Sequence, residues 1–449
     1  MTAKNKLGVF DLTMIVVSLV IGMGIFRTPA NVAAASPTPV VFYFAWIMGG
    51  VVALCGALTY AEIGSRLPVT GGYYKVFSYA YHPSIAFAIN CIILVSNAAS
   101  GAAVALVGSE YISSVLFPGE TDLAYVQNMQ IIIALGAIAL FYGVNMMGLR
   151  LSAKTQSVLT VIKICLVLLL ITPLFLSPAQ PVHTSLISSA ISPTMWEYVK
   201  AFGIGLVAVS FTYGGYQQTI NFGAEVEKPN RNIPRGIFIG IFLIIILYML
   251  INYAYATVIG FEELKTSKNI AAIMASKVFG VNAERILSVL LFLSVLAYIN
   301  VLLLSNPRVM YAMCDDKILP MAFQRKSSRG ALTLALSVFA GLAAIIVFWA
   351  EEFDTLLSFT IFLDCFGMVL SAGSIFIVRK RTAHLDDTGI YKMKLFPLLP
   401  LVFMAAYSFV AISLLVTETN LSLIGLGVMA GFILLYFVIK GFSPKTLNN

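Results

Sequence analysis

Two stretches decide how this chain is read: Val20-Ile21-Gly22-Met23-Gly24-Ile25-Phe26 and, some 190 residues later, Phe211-Thr212-Tyr213-Gly214-Gly215-Tyr216. Each interrupts an apolar run long enough to cross a bilayer. A glycine in a helix interior costs about 1 kcal/mol relative to alanine, so paired glycines there need a reason. Interrupted hydrophobic segments at corresponding places in two halves of a chain point to a transporter's binding site. Where the helix unwinds, free N–H and C=O groups face a cavity and can hold the charged ends of a small zwitterion.

Composition agrees. Of 449 residues, 59% are hydrophobic and 11% charged, with a mean hydropathy of +0.93. Soluble domains carry about 25% charged residues, so the sequence predicts an all-α polytopic membrane protein. Apolar runs of about 20 residues give twelve expected spans, near 9–35, 40–66, 83–115, 127–147, 153–176, 197–223, 236–260, 284–312, 331–350, 355–378, 396–417 and 421–440. The first run lacks a small-residue cleavage site and continues into a second half-helix, so it reads as a span and not as a signal peptide. One transmembrane domain over 1–449 accounts for the chain, with no separate soluble domain.

The formal charge of +8 has a topological explanation. With both termini cytoplasmic, 21 of the 28 Lys and Arg fall on the inner side, as the positive-inside rule requires. Nucleic acid is therefore not an expected partner. The breaks lie in spans 1 and 6. Five spans counted from each give two repeats, 9–176 and 197–378, of opposite orientation because five is odd; 396–440 is then peripheral. The five cysteines are scattered and the three histidines (His82, His183, His384) lie far apart, so no metal, cofactor or disulfide framework is expected. Enzyme signatures are absent, and Gly22-x-Gly24 lacks the later glycine and preceding strand of a dinucleotide site.

Candidate chemistry gathers at the breaks. The half-helix starting near Met23, Gly24 and Ile25 offers N–H groups and a positive dipole end to a carboxylate. The preceding one ends near Val20, Ile21 and Gly22, where carbonyls can take an ammonium. Span 6 mirrors this near Phe211, Thr212 and Gly214, with Phe211 as a gating aromatic. Tyr213, Tyr216 and span 3 residues 97–100 are expected to line the side-chain pocket. Lys163 lies mid-span, and an ammonium there marks a functional site by default. It can stand as a fixed charge tying span 5 to the first break, or load and unload a proton; the alternative is snorkelling. Tyr255 is a possible hydrogen-bond partner in the bundle. Asp364, mid-span in span 10, either pairs with a polar neighbour or senses protons. Arg27 holds an outer gate or snorkels outward. Glu62/Arg66, Glu225/Arg231/Arg235 and Arg308/Asp315/Asp316 form either interfacial charge or a cytoplasmic gate.

The motifs IGMGIF (21–26), GALTYAEIGSRLPVTGGYYKVF (56–77), FTYGGYQQTINFGAEVEKPNRNIPRGI (211–237), NPRVMYAMCDDKILP (306–320) and GIYKMKLFPLLP (389–400) resemble the amino acid–polyamine–organocation superfamily, and within it the L-type amino acid transporter-like permeases. The resemblance implies the LeuT-type fold, a 5+5 inverted repeat with broken helices 1 and 6, and amino-acid transport, often by exchange. It assigns carbonyls of Val20, Phe211 and Gly214 to the substrate amine and amides of Met23 and Gly24 to its carboxylate. It matches Lys163 to a lysine that replaces a sodium site, and Tyr255 to a tyrosine associated with it. Relatives often have serine at the place of Met23 and tryptophan at that of Tyr216. Asn300 and Ser305 stand where relatives have a serine-rich stretch, which makes Asn300 a coupling candidate. Animal relatives pair with a glycoprotein through a cysteine after span 3; 116–126 contain none, so no accessory subunit is implied. The expectation is a sodium-independent exchanger of neutral L-amino acids in the cell membrane. A proton-coupled symporter and a cationic amino acid or polyamine permease are the alternatives.

Overall fold

The computed structural model describes residues 6–22, 24–176, 194–267, 270–271, 273–274, 281–348, 353–386 and 388–442, the backbone alone for 281–284, 353–361 and 441–442. The expected Met23 contact lies outside the described residues. In chain order the helices are α1 (Val9–Val20), α2 (Gly24–Ala35), α3 (Pro39–Arg66), α4 (Gly72–Ala80), α5 (Pro83–Leu116), α6 (Leu123–Met146), α7 (Leu149–Ile171) and α8 (Pro173–Leu176). The second half holds α9 (Met195–Tyr213), α10 (Pro229–Val258), α11 (Phe261–Thr266), α12 (Val281–Asp315), α13 (Thr333–Val347), α14 (Phe353–Arg381), α15 (Leu398–Thr417) and α16 (Thr419–Phe442). Among the described residues there is no strand, only isolated bridges such as Leu7 with Val226 and Thr70 with Phe222.

Nine helices among the described residues are long and apolar enough to cross a membrane, and α1 with α2, bent by 43° at the first break, makes a tenth. Two of the twelve runs expected from the sequence give helices that do not meet this measure. α13 has 15 residues, and α9 carries Glu197 and Lys200 in its opening turns. Helix starts follow the local chemistry. Thr38 accepts from the Val41 N–H (3.4 Å) ahead of Pro39, and Thr194 and Glu197 form a reciprocal capping box; both satisfy orphan N–H groups.

Buried residues concentrate where α1, α3, α5, α7, α10 and α12 meet. In lipid, helices associate through close packing more than through hydrophobic driving force, and small residues permit it. A side-chain carbon on Gly49 would lie 2.1 Å from Val209, and one on Gly108 2.6 Å from Val295. The two breaks are held in the middle of this packed region. At one end, ion pairs and backbone bridges knit the loops together.

Candidate functional site

The first break begins where α1 runs out of partners. Ile21, at φ −72° and ψ 85°, leaves the helix while its N–H still donates to Val17 O. The Gly22 N–H donates to Val20 O at 2.8 Å. The second break follows Tyr213. Gly214 is extended (φ −68°, ψ 166°), and Gly215 has φ +111°. The chain then continues as 3₁₀ turns over Tyr216–Asn221 and Gly223–Glu225. Span 6, expected over 197–223 with its break at 214–215, thus resumes past the break as tight turns.

The breaks interlock through their glycines. A side-chain carbon on Gly215 would stand 2.4 Å from Leu19 O, and one on Gly24 3.0 Å from Thr212 Oγ1. Gly215 therefore meets two requirements at once, a left-handed backbone and a backbone in close approach. The crossing brings the carbonyl-rich ends of α1 and α9 beside the N-terminus of α2. Opposite partial charges of these helix ends lie side by side, and the first N–H groups of α2 have no partner within their own helix.

Tyr248 in α10 ties the two carbonyl ends together. Its hydroxyl lies 3.1 Å from Val20 O and 3.2 Å from Thr212 O. One O–H satisfies one acceptor at a time, so one of the two carbonyls always remains for a second donor. Sequence reasoning singles out Tyr255 and misses Tyr248, although the two are seven residues apart and share a helix face. The Tyr255 hydroxyl is buried and makes no hydrogen bond among the described residues.

Lys163 is fully buried. Its Nζ donates to Ile21 O and lies 3.4 Å from Ser18 O and 3.5 Å from Ser18 Oγ. The ammonium sits on the carbonyl end of α1, the favourable end of the helix dipole for a cation. Asn300 does not bond Lys163 directly but reaches it through a buried relay. Asn145 Nδ2 donates to Asn300 Oδ1 at 2.8 Å, Asn300 Nδ2 to Gln156 Oε1 at 2.7 Å, and Gln156 Nε2 to Ser18 Oγ at 2.5 Å. Gln156 and Ser18 are not singled out by the sequence; as polar residues inside apolar runs they carry a weak signal.

A cavity of about 70 Å³ opens at the crossing, lined by Val20, Gly22, Gly24, Phe211, Thr212 and Gly214 among the expected residues. Asn97 and Ser100 of α5 also line it, as expected, together with Gln217, Gln218, Tyr298 and Asp364. Gln218 Nε2 donates to Asn97 Oδ1 at 3.1 Å, and the Ser100 and Tyr298 hydroxyls lie 3.0 Å apart. Ile21 and Ile25 are buried but do not line the cavity. Tyr213 and Tyr216, expected in its wall, instead face α3. The Tyr213 ring packs 6.0 Å from Trp46, and that of Tyr216 6.0 Å from Tyr60. The strained turn at Gly215 redirects the chain, so the helical azimuth of span 6 does not carry past it. Among the described residues there is no cluster of side chains suited to a metal ion.

Below the cavity the chain is closed by successive layers. Residues 216–222 are buried. Arg308 Nε pairs with Glu225 at 2.7 Å and its guanidinium lies 4.5 Å from the Phe222 ring. The Leu7 N–H donates to Glu225 O at 2.8 Å, and Leu7 O accepts from the Glu227 N–H at 2.9 Å. Lys75 in α4 reaches Asp315 at 3.0 Å and Asp316 at 2.5 Å. Burial pushes its ammonium down, but these two carboxylates outweigh that and hold its pKa above the ordinary lysine value. Glu62, fully buried, accepts from Arg66 at 2.8 Å, from Arg379 through both oxygens at 2.7 Å and from the Met393 N–H at 2.8 Å. Arg231 and Arg235, grouped with Glu225 from the sequence, take no part in its ion pair.

The family follows from comparison. The model of the amino acid permease family matches residues 7–436. The chain belongs to the amino acid permease family. It is 28% identical to the serine/threonine exchanger SteT of Bacillus subtilis, over 93% of this chain and 92% of that one. It is 27% identical to the mouse large neutral amino acids transporter small subunit 2, over 99% of this chain and 83% of the relative. The mouse Asc-type amino acid transporter 1 is 24% identical over 97% and 81%.

Proposed function

We propose that this permease carries small neutral L-amino acids across the cell membrane by alternating access, exchanging one for another without sodium. Helix ends of both signs meeting at one cavity carry this reading. The carbonyl that Tyr248 does not engage, at Val20 or Thr212, takes the substrate's ammonium. The N-terminus of α2 at Gly24 takes its carboxylate. Phe211, half-buried at the cavity wall, is placed to cover the substrate. The relatives named as a serine/threonine exchanger and a neutral amino acids transporter support the substrate class. The small cavity, about 70 Å³, is compatible with such substrates.

Sodium independence rests on Lys163. Its ammonium lies on the carbonyls of Ser18 and Ile21, supplying the positive charge that a cation would otherwise bring. The twelve spans, the five-plus-five inverted repeat and cytoplasmic termini complete the proposal. The end closed by Glu225 and Arg308 is then the cytoplasmic one. The alternative is proton symport, with Lys163 or Asp364 as carrier. A cationic amino acid or polyamine is the third option.

The test is uptake of radiolabelled alanine, serine and leucine into sodium-free proteoliposomes, empty or preloaded with unlabelled amino acid. Uptake of alanine and serine into preloaded vesicles alone is the expected result. Equal uptake into empty vesicles, growing with an inward proton gradient, would replace exchange by symport.

A further inference from the structure

The cavity contains a carboxyl group that the transport reading leaves unused. Asp364 in α14 is part of the cavity wall beside Tyr298 and Tyr407. It makes no hydrogen bond or ion pair among the described residues, and no Lys, Arg or His lines the cavity with it. A carboxyl group at membrane depth without a cation is costly and is kept where it meets a ligand or a partner. The tyrosine hydroxyls within electrostatic reach of it, among the described residues, are those of Tyr60, Tyr73, Tyr298 and Tyr407. Three of them are engaged elsewhere. Tyr60 and Tyr73 meet Ser371, and Tyr298 meets Ser100. With no donor bonded to it among the described residues, Asp364 lines the cavity with its acceptor capacity unused there.

The possible contents are constrained. The α-ammonium of an amino acid has the carbonyl ends of α1 and α9 to bind, and these belong to different helices from Asp364. The cavity itself is small, about 70 Å³. A short side chain that ends in a donor fits both limits, and the smallest neutral one is a hydroxyl on the β-carbon. We propose that Asp364 is a specificity-determining residue: it accepts a hydrogen bond from the substrate's β-hydroxyl, so that hydroxylated small amino acids are preferred over their hydroxyl-free counterparts. This rests on the transport reading above. An apolar substrate of the same size leaves the carboxyl facing a methyl group with its water displaced, and sites built to bond a hydroxyl reject analogues that lack it.

The experiment is competition for labelled-alanine exchange in proteoliposomes. Serine is compared with alanine, and threonine with 2-aminobutyrate, in the wild type, Asp364→Asn and Asp364→Leu. The wild type is expected to favour serine over alanine, and threonine over 2-aminobutyrate, by about tenfold or more. The amide of Asp364→Asn keeps an acceptor oxygen and retains part of the preference. Asp364→Leu removes the acceptor and brings both ratios to about one. A wild type with no preference overturns the assignment, and so does a leucine variant that keeps the wild-type ratios. So does Asp364→Asn losing every substrate in parallel, which would place the carboxyl on the α-ammonium or on a transported proton. If the leucine variant does not reach the membrane, the wild-type ratios and the asparagine variant still decide. No amino-acid uptake at all by the wild type removes the transport reading and this assignment together; uptake without hydroxyl preference removes the assignment alone.

Discussion

At Lys163 a buried ammonium is held by carbonyls and not by a carboxylate. Ile21 O and Ser18 O accept from it, and the relay from Asn145 through Asn300 and Gln156 fixes the Ser18 side chain beside it. Because these carbonyls end α1, the contact ties α7 to the first break. Replacing Lys163 by methionine preserves most of the volume but leaves buried acceptors unpaired, at about 1–3 kcal/mol. We expect Lys163→Met to reach the membrane as a monodisperse protein with uptake reduced at least about tenfold. Wild-type kinetics in that variant would remove the fixed-charge role. Lys163 is legible in the sequence because a lysine inside an apolar span breaks a strong rule. Tyr248 is not, because a tyrosine in an apolar helix breaks none, and only three-dimensional packing distinguishes it from Tyr255.

At the scale of elements, the breaks depend on interlocked backbone. Gly215 combines φ +111° with so close an approach to α1 that a side-chain carbon would stand 2.4 Å from Leu19 O. Any side chain there strains the turn and pushes α1 away. Gly215→Ala is expected to lower stability by about 1–3 kcal/mol and to weaken substrate binding in parallel, read as a lower thermal midpoint in detergent and a smaller upward shift on adding serine. An unchanged midpoint would mean that the two breaks do not bear on each other. The positions of both breaks are readable from the sequence, since glycine pairs in apolar helices conflict with local propensity. The course of the chain beyond the second break is not. Past Gly215 it turns into 3₁₀ structure, and Tyr216 swings to α3 while Gln217 and Gln218 take the cavity wall.

At the scale of the molecule, one packed helical body carries the crossing in its middle and closes it at one end. The overall class is legible from hydropathy alone, because helices that cross lipid must satisfy their own backbone. The closure is less so. Glu225 with Arg308 and Glu62 with Arg66 and Arg379 join residues 83, 4 and 317 positions apart, and the long-range pairs depend on the fold already being formed. Under the proposed reading, a substrate presents an ammonium to the ends of α1 and α9 and a carboxylate to the start of α2 at the same time. The most direct measurement is competition for labelled-serine exchange by L-alanine, L-alanine methyl ester and N-acetyl-L-alanine. The account predicts that L-alanine competes and that both blocked analogues, each lacking one charge, are weaker by at least about tenfold. Competition by either blocked analogue at the strength of L-alanine would contradict it.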